Sequence, residues 1–190
     1  MMNHESSKND AAETFSIMKK KLTVGILSIL AILLISCIII VRTTIGNLLR
    51  GHVHFQEKNV GDVLTMEDGQ KFTVFRRLKV DGKGDNHDDL AVFKVRFKFK
   101  NLGTGANKRL SIIPAPFLMG MKGFQEKIWT INKSTNDFQG IYQWSSKEAA
   151  MSYPDTFIFK LMTKRAAPGT ISYEIMPNTD LVEYISNKSL

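Results

Sequence analysis

The side chains able to do chemistry in this 190-residue chain are few and scattered. Its four histidines are His4, His52, His54 and His87, and its one cysteine is Cys37. Nucleophilic catalysis needs a Ser or Cys beside a base, and no Gly-x-Ser-x-Gly elbow occurs. Gly103-Thr104-Gly105 lacks the further Gly and the Lys of a phosphate-cradling loop. His52 and His54 would share a metal only from one strand face with further ligands nearby, and no acidic residue or Cys adjoins them, so they read as part of a solvated stalk. The loop Asp81–Asp89, DGKGDNHDD, holds four carboxylates, enough oxygen for Ca²⁺. It lacks the Gly and Glu positions of an EF-hand and places Lys83 among the ligands, so it reads as a solvated hairpin tip. No catalytic, cofactor-binding or metal-ligating residue is therefore assigned, and the expectation is a protein that is not an enzyme.

One surface has a direction. Lys94, Arg96, Lys98 and Lys100 occupy alternate positions and point the same way from an extended chain, and Lys71, Arg77 and Lys79 extend the patch. Clustered cations near an anionic leaflet are worth on the order of 1 kcal/mol each. The expected partner is an anionic lipid surface, a wall polymer or another protein. Only Phe75 supplies an aromatic ring there, too few for base stacking, so nucleic acid is not expected. The competing reading is a face made soluble by lysines. The net charge of +8 favours anionic partners without demanding one.

Those cations need elements to hold them, and the longest is apolar. Leu22 to Val41, LTVGILSILAILLISCIIIV, carries no charge and is long enough as a helix to cross a ~30 Å hydrocarbon core. Lys19, Lys20 and Lys21 before it outweigh Arg42 after it, which orients a single span with the N terminus in the cytoplasm and the C-terminal domain outside. A second reading starts at Met18 and takes Leu34-Ile35-Ser36-Cys37 as a lipobox, with Cys37 lipidated. Against it, Ile38 to Val41 continue the apolar run past the cleavage site. The expected organisation is a disordered cytoplasmic tail at 1–18, the transmembrane helix or lipoprotein signal at 19–42, a juxtamembrane linker at 43–59 and an extracytoplasmic domain at 60–190. With no Cys after position 37 that domain has no disulfide.

The domain reads as β-structure. From Ala91 to Phe99 the odd positions Ala91, Phe93, Val95, Phe97 and Phe99 are apolar and the even ones are mostly cationic, the period of a strand with one buried and one wet face. Phe72, Val74, Leu78 and Val80 keep one parity, so Lys71 to Val80 is a second strand, joined to the first as a long hairpin. Weaker strands are read at 108–113, 124–131 and 141–144, and clearer ones at 156–162 and 170–176, with one helical turn at 145–151. Short strands at this spacing predict an all-β, antiparallel β-sandwich behind the membrane helix.

Val60-Gly61-Asp62 leading into a first strand, and Val95 to Gly103 with its Lys100-Asn101-Leu102-Gly103 turn, resemble the immunoglobulin-like domain of unknown function found in Gram-positive membrane-anchored proteins and surface lipoproteins, related to a mycobacterial immunoprotective antigen. The resemblance covers about 60–176 and implies a fold and a location but no catalytic residue. Two functions fit this layout: an extracytoplasmic binding or envelope-sensing module without catalysis, or a scaffold subunit of a conjugation or secretion apparatus.

Overall fold

The computed structural model describes residues 3–49, 51–81, 89–101 and 103–189, and in its first helix the side chains of 18–32, 34, 35, 38, 39, 41–46, 48 and 49. The chain divides into two units after Ile39. A single helix, α1 (Asn3–Leu49), contains all of the first unit's described structure, so the segment expected to be disordered is helical from Asn3 onward. The apolar run lies in α1 between Lys19–Lys21 and Arg42, and the side chains of Leu33, Ser36, Cys37 and Ile40 lie outside the described residues. Among the described residues no helix is long and apolar enough to cross a membrane. The expected single span is corrected accordingly. The N-in topology, the extracytoplasmic domain and the integral-membrane partnership were all built on that span.

The second unit is a mixed α/β structure and not an all-β sandwich. After α1 come β1 (Val53–Phe55), β2 (Val63–Thr65), β3 (Lys71–Val80), β4 (Ala91–Phe97), α2 (Thr104–Leu110), α3 (Ala115–Gly120), β5 (Phe124–Ile131), β6 (Phe138–Trp144), α4 (Lys147–Ser152), α5 (Phe157–Arg165), β7 (Ser172–Pro177) and α6 (Leu181–Ser186). The strands form one antiparallel sheet in the order β1-β3-β5-β6-β4-β7, with β2 also on β3. The β3–β4 hairpin expected from sequence does not form, because the β5–β6 hairpin lies between these strands. Residues 82–88 of their connection, and with them most of the Asp81–Asp89 ion-site reading, lie outside the described residues.

Two expected strands are helices for local reasons. Lys108 and Arg109 belong to α2, which follows Gly103 and ends at Ser111. Phe157 to Met162 belong to α5, whose N-cap Thr156 accepts a hydrogen bond from the Phe159 amide. A period of 3.6 then replaces a period of 2: Ile158 and Phe159 are buried side by side, while Phe157 is 65 % exposed and Leu161 41 % exposed. The turn read at 145–151 is α4, capped by Ser146 in place of the expected Ser145.

Both faces of the sheet are covered. One carries Phe93, Val95, Phe97, Trp129, Ile131, Tyr142 and Trp144 against residues of α3, α4 and α5. The other carries Phe72, Val74, Val92, Ile128 and Ile141 against Leu64, Met66 and the α6 residues Leu181, Tyr184 and Ile185. The constant parity of β3 conceals a change of side. A bulge between Val74 and Arg76 sends Phe72 and Val74 to the second face and Leu78 and Val80 to the first. Phe93 anchors the first face, with the rings of Tyr142, Tyr153, Phe159 and Tyr173 centred 5.1–5.8 Å from its own. Truncating it to Ala should cost about 3–5 kcal/mol in urea unfolding.

The second face is closed by ion pairs. Lys94 Nζ lies 2.9 Å from Glu67 and 3.0 Å from Glu174, and Tyr184 donates to Glu67 at 2.8 Å, tying β4 to the β2–β3 turn and to α6. Burial pushes the Glu67 carboxyl up, but its own backbone amide, Lys94 and Tyr184 outweigh this and hold it at about 2. A carboxyl depressed in the folded state stabilises above its unfolded value and loses that contribution as pH falls through the folded one. The Tm advantage of the native chain over Glu67→Gln should therefore be constant above about pH 5 and shrink toward pH 2, read by thermal melts across that range.

Candidate functional site

β5 and β6 place two side-chain pairs on the first face: Lys127 opposite Tyr142, and Trp129 opposite Gly140. The absence of a side chain at Gly140 shapes the site. A Cβ built there would stand 2.7 Å from Tyr142 Cε2 and 3.0 Å from its hydroxyl, because the tyrosine ring folds back over the glycine. Tyr142 and Trp129 thereby flank the Lys127 amine, with Nζ 4.4 Å from each ring centroid.

The rings are held from behind. Trp129 donates from Nε1 to the Ser111 carbonyl at 3.2 Å, at the end of α2. Arg76 donates to Ser111 Oγ at 2.8 Å and lies 5.7 Å from the Trp129 ring centroid. Tyr153 and Tyr142 share a hydroxyl contact of 3.4 Å, and burial pushes both phenols up out of the physiological range.

Lys127 is 5 % exposed, and among the described residues no carboxylate pairs with it. Burial pushes its amine well below the usual lysine range, and the Arg76 guanidinium pushes the same way. Two facing rings favour the ammonium form by about 2 kcal/mol or more each when desolvated. Burial opposes it and Arg76 adds repulsion, so the amine is shifted toward its neutral form relative to an exposed lysine.

The amine opens onto a cavity with about 630 Å³ of empty space, its open mouth included. Phe97, Phe99 and Phe138 line it from the sheet side, Ile158, Leu161 and Met162 from α5, and Ile113 and Pro114 from the segment before α3. Arg165, at the end of α5, is the other cation there. It lies 4.8 Å from the Phe99 ring centroid and donates to the buried Asn107 at 3.3 Å. The chamber is thus mostly apolar and aromatic, with Lys127, Tyr142, Arg165, Ser111 and Gln139 as its polar residues.

The residues singled out from sequence lie elsewhere. Lys94 and Arg96 project from the opposite face. The side chain of Lys94 is 13 % exposed between two glutamates, and Arg96 pairs with Asp68 at 2.5 Å and lies 4.6 Å from the Phe72 ring centroid. Lys98 is 3.7 Å from Asp137, and Lys100 follows the strand with its amide donating to Arg165. Cys37 lies in α1 with its side chain outside the described residues. His54 pairs with Asp81 at 2.9 Å, and no group of three or more metal-ligating side chains occurs among the described residues. The imperfect alternation of Phe124–Ile131 does not single out Lys127. Its parity with Trp129 and Ile131 was the available signal.

Residues 92–176 match the family model described as putative mono-oxygenase ydhR. Every residue lining the cavity falls inside that segment. The solved structures similar to this chain include a monooxygenase-like protein from Listeria innocua at 14% identity, covering 61% of this chain and 68% of that one with a TM-score of 0.44. Another is a ferredoxin-fold protein related to antibiotic biosynthesis monooxygenases from Listeria monocytogenes, at 12% identity, 68% and 94% coverage and a TM-score of 0.45. A heme-degrading enzyme from Listeria monocytogenes stands at 13% identity, 64% and 86% coverage and a TM-score of 0.45. No curated protein matches the chain. The family match replaces the immunoglobulin-like resemblance and corrects the expectations of a non-catalytic binding module and of an envelope scaffold. Both had followed from finding no site in the sequence.

Gly140→Ala tests the construction of the chamber. The added methyl must displace the Tyr142 ring, and the expected cost is about 1–3 kcal/mol in urea unfolding, as for overpacked cores. Gly105→Ala, where nothing lies within 4 Å of the added carbon, is the control.

Proposed function

We propose that the domain from β1 to α6 is a monooxygenase-like enzyme acting on an apolar, planar substrate in the cavity beneath α5. The observation that carries this reading is the coincidence of the monooxygenase family match with an aromatic chamber built around one buried amine that burial shifts toward its neutral form. Rings on several sides select a flat apolar molecule, and the Arg165 guanidinium offers hydrogen bonds to a substrate oxygen.

A haem does not suit the donors present, since no histidine, cysteine or carboxylate lines the cavity. The proposed reaction is one in which the substrate supplies all the electrons. Lys127 takes a proton from an acidic CH₂ of the substrate, and the electron-rich carbon left behind reacts with O₂. One oxygen atom becomes a carbonyl on that carbon. The other leaves as water with the two hydrogens, so the four-electron oxidation of CH₂ matches the four-electron reduction of O₂. The aromatic rings on either side of Nζ keep bulk water, which would reprotonate the carbanion, away from the amine.

The test is oxygen uptake with fused-ring ketones bearing an acidic CH₂, 2-tetralone first, with ¹⁸O₂ incorporation read by mass spectrometry. One labelled atom should appear per product. Lys127→Arg replaces the base by a group that stays protonated, and should lower the rate by about 10²–10⁴-fold, the usual worth of a positioned base. In the native chain the rate should rise with pH through a limb below the usual lysine range, because the amine acts only when unprotonated. Failure of every such substrate to consume oxygen would remove the reading.

A further inference from the structure

The same amine has a second chemistry that proton transfer does not use. A buried lysine that lines an open cavity, has no carboxylate partner among the described residues and is shifted toward its unprotonated form is poised as a nucleophile toward carbonyl carbon. Lys127 is kept from water by the Trp129 and Tyr142 rings, and Arg76 disfavours its charge. The two rings also fix where a reaction partner lies. A flat conjugated molecule fits against the aromatic and aliphatic walls formed by Phe97, Phe138, Ile158 and Met162, and its polar end meets the amine.

We propose that Lys127 is a covalent capture site for planar conjugated aldehydes and ketones, which enter the aromatic chamber and condense with Nζ as a Schiff base. The amine adds to the carbonyl carbon to give a carbinolamine, which loses its oxygen as water to leave a carbon–nitrogen double bond. No oxidant or reductant is needed, and hydrolysis reverses the step. The conjugated imine remains between rings with which it stacks. This rests on the same cavity as the oxygenase reading but requires no oxygen, so an aromatic carbonyl product or substrate analogue would act as a reversible occupant of the site.

The probe is 2-naphthaldehyde with sodium cyanoborohydride, applied at pH 7 without oxygen to the full chain. Cyanoborohydride reduces each imine to a stable secondary amine that peptide mass spectrometry locates. An exposed lysine near its ordinary value is unprotonated in only about 1 molecule in 2,500 at pH 7. Lys127 should therefore become modified several-fold faster than the exposed surface lysines, and that preference should narrow as pH rises into the ordinary lysine range, where lysines in general lose their protons. Lys127→Arg should remove the fast adduct while leaving the slow surface adducts unchanged. Gly140→Ala should slow the fast adduct by displacing Tyr142, and its melting curve shows whether the fold persists.

Modification spread evenly over surface lysines with Lys127 untouched in the folded native chain would overturn the proposal. So would a fast adduct that survives in Lys127→Arg. The two readings fail separately. A fast Lys127 adduct in a chain that oxygenates nothing would retain the capture site and remove the oxygenase. Oxygenation at the native rate in Lys127→Arg, with the fast adduct lost, would retain the enzyme and the capture site and remove Lys127 as its base.

Discussion

A sheet covered on both faces leaves little of its middle wet, and most polar side chains buried there must be satisfied from within the protein. This constraint organises the second unit. On the face covered by α6, Lys94 is set between Glu67 and Glu174, Arg77 pairs with Glu126 and with Asn59, and Arg96 reaches Asp68 and Gln139. Gln143 joins the sheet to the start of α6, donating to the carbonyls of Ala91 and Thr179 at 3.1 and 3.2 Å and accepting from the Leu181 amide at 2.5 Å. The polar groups on that face are therefore the means by which α6 and the β2–β3 turn are held in place.

Lys127, on the other face, departs from that pattern. It has two aromatic rings in place of a carboxylate. Removing one partner from a buried ion pair leaves a charge that costs several kcal/mol, and the simplest escape is loss of the proton. The same sheet thus holds lysines in two conditions. Lys94 is raised above its ordinary value because its glutamates outweigh the effect of burial, whereas Lys127 is lowered because burial is answered by nothing but ring faces and a repelling Arg76. Reactivity belongs to the second.

Aromatic residues serve both folding and site. Phe93 gathers Tyr142, Tyr153, Phe159 and Tyr173 around itself, and Tyr142 is also one wall of the lysine chamber. Tyr153 reaches this cluster because α4 runs into a turn of 3₁₀ helix over Tyr153–Asp155, and α5 starts immediately afterwards at its Thr156 cap. The lid of the cavity is therefore fixed by local capping chemistry, while its floor is fixed by the pairing of β5 with β6. The cavity lies where the two meet, and Gly140 leaves the space that lets the tyrosine ring turn toward Lys127.

Several features were legible in the residues alone: the alternation of β4, the apolar character of the run in α1, the strand at β7 and the strand character of β3. Local patterning reports whether a segment is extended and which positions share a side, because that depends on a few neighbours along the chain. It does not report which strands become neighbours or what covers them. The β3–β4 hairpin was expected because consecutive strands usually pair, and tertiary structure inserted β5 and β6 between them. Lys94 and Arg96 look solvated in the alternation because Glu67, Asp68 and α6, distant in sequence, are what cover them, whereas Lys98 is exposed. The 156–162 segment has apolar residues consistent with either period, and its Thr156 cap decided for helix. The site was illegible for the same reason. A lysine in an imperfect strand, a tryptophan two residues later and a glycine and tyrosine on another strand acquire chemistry only when pairing sets Lys127 against Tyr142 and folding removes the water that would keep its amine charged.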